Sequence, residues 1–134
     1  MSTPDYLVIG HVTRDLVAGG GFRIGGTVTY AAVTAQALGY RVAVLTSAGD
    51  DLDLHSAFAG MAVHALPAAQ STTFENIYHN GSRVQFLRAT ATLLTVRDLP
   101  PEWRQARIVH LGPLVQEVDP AFVDLFPGAS LLGV

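Results

Sequence analysis

Along much of the chain, apolar residues fall in short dense runs separated by glycine and polar positions. Tyr6-Leu7-Val8-Ile9 closes on Gly10, and Arg41-Val42-Ala43-Val44-Leu45-Thr46 follows Gly39. Residues 61–66, Arg107-Ile108-Val109-His110-Leu111 and residues 130–134 repeat the pattern. Such runs fit strands covered on both faces, as in a parallel sheet. Thr27 can cap a helix running to about Leu38, with Gly39 as its stop. The alanines in that stretch favour helix and let it pack closely on a sheet. Residues 50–59 read as a short helix, and so do 99–105, with Pro100 and Pro101 in the first turn. Asp119 can cap another, with Pro120 at its first position and an end near Phe126. Strands alternating with helices predict an α/β fold with a mainly parallel sheet and right-handed crossovers.

The period changes in two places. Gly19-Gly20-Gly21 marks a turn, and Phe22-Arg23-Ile24 after it reads as a short strand. Residues 73–79 and 82–88 flank Asn80-Gly81, a strong hairpin signal. A turn there sets Ile77 opposite Val84 and Asn76 opposite Gln85. Neither face of that hairpin is purely apolar, which predicts a position outside the core. A simple alternating α/β plan does not need it.

Composition narrows the class. A chain of 134 residues with 49% apolar and 14% charged positions is one globular domain. All eight basic residues are arginine. The lack of lysine excludes a Walker-A loop, a lysine Schiff base and a Ser-Lys dyad. The lack of cysteine excludes disulfides and thiol chemistry. A net charge of −3 gives no footprint for nucleic acid. The N-terminus has no basic n-region, and no stretch approaches the ~20 apolar residues of a membrane span. The expectation is a soluble, cytoplasmic protein.

Candidate chemistry is sparse. No G-x-G-x-x-G occurs, so a nicotinamide-dependent Rossmann enzyme is unsupported. Gly25-Gly26 stands directly before a helix start, where bare backbone and free N–H groups suit a hydroxyl-rich or anionic ligand. The plainer reading is a tight turn. Asp15 comes five residues after the strand-ending Gly10, on the side of the sheet where such folds bind ligands. It can accept two hydrogen bonds from a polyol, or it is an ordinary loop aspartate. The five histidines show no ligand spacing, so no metal is predicted. His11 and His110 lie near strand ends and either line a site or serve structure. No G-x-S-x-G elbow occurs. Asp50, Asp51 and Asp53 read as the solvated first turn of a helix, and Trp103 as a packing anchor.

Together these residues resemble the PfkB/ribokinase family of carbohydrate kinases. Leu7-Val8-Ile9-Gly10-His11-Val12-Thr13-Arg14-Asp15 is similar to the family's opening strand and aspartate. Ile24-Gly25-Gly26-Thr27-Val28-Thr29-Tyr30 resembles its Gly-Gly helix start, and Thr46-Ser47-Ala48-Gly49-Asp50-Asp51 its G-D-D segment. The resemblance implies a three-layer ribokinase-like fold with a mainly parallel sheet. Residues 1–134 form its N-terminal, sugar-side part, with a small antiparallel β lid at about 16–24 and 73–88. Tyr30 stands where the family usually carries asparagine, and Thr27 where it carries a basic residue. The short lid, Thr72-Thr73-Phe74-Glu75-Asn76 and Thr29-Tyr30 make the chain most similar to the branch containing myo-inositol kinases.

The implied activity is transfer of the ATP γ-phosphate, with magnesium, to a sugar or cyclic polyol hydroxyl. The implied substrate residues are Asp15 holding hydroxyls, Gly25 and Gly26 allowing close approach, Thr29 and Tyr30 lining, and Asn76 reaching in from the lid. Family members are longer and carry their catalytic aspartate in a later G-A-G-D-like motif. Pro127-Gly128-Ala129-Ser130 is not one, so this chain holds no catalytic aspartate or ATP site and is expected to be inactive alone. The other reading is a non-catalytic module, either a sugar sensor or a homodimer assembled through exposed edges of the lid.

Overall fold

The computed structural model describes residues 3–134. The central sheet has five strands, all parallel, in the order β5-β4-β1-β8-β9. These are β1 (Tyr6–Ile9), β4 (Val42–Ala48), β5 (Ala62–Pro67), β8 (Ile108–Leu111) and β9 (Leu131–Gly133). Alternation along β1 divides the core between two faces. Val8 and Val44 pack with Val28, Ala32 and Phe58 on one side. Leu7, Ile9 and Leu45 pack with Leu94, Trp103 and Phe122 on the other. Every residue of β4 is buried, which is why its run is uninterrupted by charge.

The first face is covered by α1 (Thr27–Ala37), whose Ala32 and Ala35 are buried against the sheet. Its N-cap is Gly26, not Thr27, and no side chain caps the helix. Gly26 takes φ 91° and ψ 154°, a conformation essentially reserved for glycine. Gly39 ends the helix at φ +93°, as expected.

The other expected helices shrink. α2 covers only Leu54–Ala57, capped by Asp53 through Ser56 N–H and Oγ. Asp51 cannot join it, because its carboxylate accepts from Ser71 N–H and, at 2.6 Å, from Ser71 Oγ. That bond ties the G-D-D segment to the strand of the lid that follows. Residues 101–105 and 120–124 form single 3₁₀ turns, the second capped by Asp119.

A second sheet, ordered β3-β2-β6-β7, stands apart from the first. It contains β2 (Thr13–Leu16), β3 (Phe22–Gly25), β6 (Thr72–His79) and β7 (Ser82–Ala89). β6 and β7 are joined at Asn80-Gly81, both at positive φ (49° and 78°), as a type I′ turn requires. Ile77 faces Val84 and Asn76 faces Gln85, the register the turn predicts. The lid's first part begins earlier than residue 16. Thr13-Arg14-Asp15-Leu16 is a strand, formed by pairing antiparallel with β3 and parallel with β6. Asp15 is therefore a strand residue, not a loop residue. Among the described residues, no helix is long and apolar enough to cross a membrane.

Candidate functional site

The site grows from two glycines side by side at the carboxyl ends of β1 and β8. Gly112 N–H donates to Ile9 O at 2.8 Å, and a Cβ on Gly10 would collide with Gly112 O. The chain leaving β1 is then tied on every side. Val12 N–H donates to Thr46 Oγ1 at 2.9 Å, and His11 N–H to Glu117 Oε2 at 2.9 Å. The fully buried His11 ring places Nε2 at 2.7 Å from Thr92 O and Nδ1 at 2.7 Å from Thr72 Oγ1. A carbonyl only accepts, so Nε2 carries a proton toward Thr92 O, and Nδ1 pairs with the Thr72 hydroxyl. Thr72 Oγ1 in turn accepts from Ala91 N–H at 3.0 Å. His11 is thus a structural clamp that roots the lid on the sheet, not a lining residue.

This root delivers Asp15. Its Oδ1 accepts from Thr13 Oγ1 at 2.8 Å, while Oδ2 lies against Gly25. Any side chain at position 25 would displace that oxygen. Gly26 is equally constrained, since a Cβ there would sit 2.6 Å from His11 O. Thr13, Asp15, Gly26, Phe74, Gln85 and Leu114 line an open cavity of about 180 Å³. That is the liquid volume of about six waters, suited to a small polar molecule. Its wall combines one carboxylate, one amide, one hydroxyl and two apolar faces.

The remaining expected residues divide. Asn76 shares the cavity side of the lid by register, two positions from Phe74 and opposite Gln85. Its Oδ1 is buried without a hydrogen-bond partner. Thr29 spends its hydroxyl on Gly25 O at 2.6 Å, holding the start of α1. Tyr30 is 69% exposed and lines a different, larger groove of about 680 Å³ with Tyr6, Leu38, Tyr40, His110 and Leu131. In that groove Tyr6 Oη lies 2.6 Å from His110 Nδ1. Burial pushes the His110 imidazole below its ordinary pKa and the Tyr6 phenol above its own. Thr13, Phe74, Gln85, Leu114 and Glu117 were not among the expected residues. The signal for the last two was Gly112-Pro113 after an apolar strand, echoing Gly10 after the first.

Among the described residues, no three His, Asp or Glu side chains converge on one point, and the cavity's one ionisable group is a carboxylate that repels phosphate.

Neither the family models nor the curated proteins match this sequence. Solved structures do. A pyrophosphate-dependent kinase in the ribokinase family, in complex with sulfate, superposes with TM-score 0.75 and 28% identity over 95% of this chain and 48% of that one. A pyrophosphate-dependent kinase in the ribokinase family complexed with a pyrophosphate analog and myo-inositol gives 0.73 and 30%, over 95% and 47%. Arabidopsis thaliana ribokinase complexed with ribose and ATP gives 0.68 and 16%, over 98% and 52%, a likeness of fold alone. The fold is therefore ribokinase-like, and the chain is similar to ribokinase-family kinases. It spans about half the length of these structures.

Proposed function

We propose that this chain is the substrate-side part of a ribokinase-type sugar or polyol kinase, and that the cavity at Asp15 takes a cyclic polyol such as myo-inositol. The observation that carries this is Asp15 itself. Its Oδ2 edge lies over a bare glycine, at the junction of the parallel sheet and the lid. An ionised carboxylate is acceptor-only and matches a vicinal diol offering two donors. Phe74 offers an apolar face to ring C–H groups. The Gln85 amide adds a polar contact from the lid, with Asn76 beside it in register. The kinase bound to myo-inositol supports the same substrate class.

In this reading the chain binds and orients a hydroxyl for phosphoryl transfer, in which positioning supplies much of the catalysis. The donor is ATP with magnesium, as the family resemblance implies, or pyrophosphate, as in two of the similar kinases. The G-A-G-D-like motif that the resemblance links to catalysis is absent from this sequence, so the 134 residues alone should transfer no phosphate. A cytoplasmic setting belongs to the same reading. The test is titration of myo-inositol, ribose and a nucleoside into the intact protein and into Asp15→Asn. A charge-assisted hydrogen bond contributes about 1.5–3 kcal/mol, so the variant should bind polyol about tenfold to a hundredfold more weakly. Equal affinities would remove Asp15 from the site.

One observation favours a second role. β7 is an edge strand, and Ile77, Tyr78, Val84 and Phe86 around it are 38–71% exposed. We infer that this lid pairs with a second copy. Sedimentation showing a monomer at all concentrations would dismiss it.

A further inference from the structure

We infer that Glu117 is a positioning residue that locks the loop after β8 to the root of the lid, and so fixes Leu114 as the wall of the substrate cavity. The inference rests on the polyol-site reading for its consequence, but the lock stands on geometry alone. Glu117 is 1% exposed and neither of the chain's described ion pairs involves it. Its carboxylate is instead satisfied by three backbone donors. Oε1 accepts from Leu114 N–H at 2.8 Å and Val115 N–H at 3.0 Å, while Oε2 accepts from His11 N–H at 2.9 Å. One side chain therefore joins the connector that carries Asp15 to the loop that carries Leu114.

The backbone is committed to this arrangement. Gln116, the residue before, takes φ +62°, a left-handed conformation that a non-glycine adopts only when its surroundings impose it. Glu117 O accepts from Leu94 N–H at 2.8 Å, and Asp119 N–H donates to Leu94 O at 3.1 Å. These bonds hold the base of the loop and leave its tip to the carboxylate. Leu114, 40% exposed, then projects into the cavity shared with Asp15, Phe74 and Gln85. Distance between the Asp15 and Leu114 walls sets the size of ligand accepted. Glu117 does not line the cavity, so its influence on selectivity passes through the loop.

Glutamine at this position keeps the shape but not the acceptor count. Its Oε1 can still serve Leu114 and Val115, and its NH₂ then faces the His11 N–H, donor against donor. The experiment has two arms. In the first, amide hydrogen exchange is measured on the wild type and Glu117→Gln without ligand. Wild-type His11, Leu114 and Val115 should be protected together, and the variant should lose protection at these amides by about tenfold or more. Unprotected Leu114 and Val115 in the wild type would overturn the lock even if the variant fails to fold.

In the second arm, myo-inositol and ribose are titrated into wild type, Glu117→Gln, Leu114→Ala and the double variant. Both single variants should lower the preference between the two ligands in the same direction. The double variant should show no further loss, because both changes remove one wall. Additive losses, or an unchanged preference in Glu117→Gln, would overturn the positioning role. No polyol binding by the wild type would instead defeat the site reading, and the wall role with it, while exchange still decides the lock.

Discussion

Replacing Gly26 by alanine should cost the fold far more than the same change at Gly39, although both glycines sit at positive φ at an end of α1. Gly39, at φ +93°, has nothing within 4 Å of an added Cβ. Alanine there bears only the left-handed strain of about 1–2 kcal/mol, partly offset by about 0.4–1 kcal/mol of lost unfolded-state entropy. A net loss of about 1 kcal/mol follows. Gly26 differs twice over. Its φ 91° and ψ 154° lie in a region where strain reaches about 3 kcal/mol. An added Cβ also meets His11 O at 2.6 Å and Thr13 Cγ2 at 3.3 Å. The first contact is backbone, so rotating a side chain cannot relieve it, and overpacking adds about 1–3 kcal/mol. The sum is about 4 kcal/mol against a whole-domain stability of about 5–15 kcal/mol. With a urea slope of about 2 kcal/mol per molar, the unfolding midpoint should fall by about 2 M for Gly26→Ala and about 0.5 M for Gly39→Ala. Fluorescence of the single tryptophan, Trp103, 1% exposed in the core, reports the transition. Coincident midpoints for the two variants would show that the α1 start is not wedged beneath the β1–β2 connector, and the cavity geometry would fall with it.

Burial holds the His110 imidazole below its ordinary pKa. The unfolded chain protonates this histidine near pH 6.5 and the folded one only at lower pH, so the unfolded state binds more protons between the two values. Stability from this group is thus full above about pH 6.5 and declines as pH falls toward the folded pKa. Urea midpoints at about pH 8 and pH 5.5 should drop more for wild type than for His110→Gln, and equal drops would count against the effect. Phe122 is fully buried against the Trp103 side of the sheet. Phe122→Ala should cost about 3–5 kcal/mol and lower Tm by about 10–20 °C, whereas a fall under about 5 °C would place the ring outside the core.

The central sheet could be read from the sequence because burial on both faces leaves a local mark. β1 and β4 carry dense, largely apolar runs whichever neighbours they pair with, and β8 shows the same mark with His110 on its less buried face. The hairpin was legible for a different local reason, since Asn80 and Gly81 tolerate the positive φ their turn demands. β2 left no such mark. Thr-Arg-Asp-Leu has no apolar alternation, and its strand exists through partners on both sides, one of them β6 far along the chain. The expected helix at 50–59 shortened to residues 54–57, with Asp51 bonded instead to Ser71, twenty positions away, which no helix propensity encodes. Thr27 suited a cap by type, but the His11 carbonyl left room only for glycine at the cap position.

The site follows the same division between local and distant causes. The sequence placed Asp15 and the Gly25-Gly26 pair together by strand-end geometry, and the structure does bring Asp15 against Gly25, with Asp15 and Gly26 on one cleft. Thr29 and Tyr30 were drawn toward that cavity by adjacency in sequence, yet neighbours on a helix point about 100° apart. That rotation returns Thr29 to the Gly25 carbonyl and turns Tyr30 into the other groove. Glu117 leaves no mark in the sequence because its partners are backbone N–H groups, which every residue except proline offers and no side-chain pattern reveals. Its location was nevertheless encoded one step away. Gly112 ends β8 as Gly10 ends β1, and two adjacent parallel strands that both stop at glycine leave room for their connections to approach each other. Where connections meet so closely, one buried carboxylate can hold both, as Glu117 does through the backbone N–H groups of His11, Leu114 and Val115.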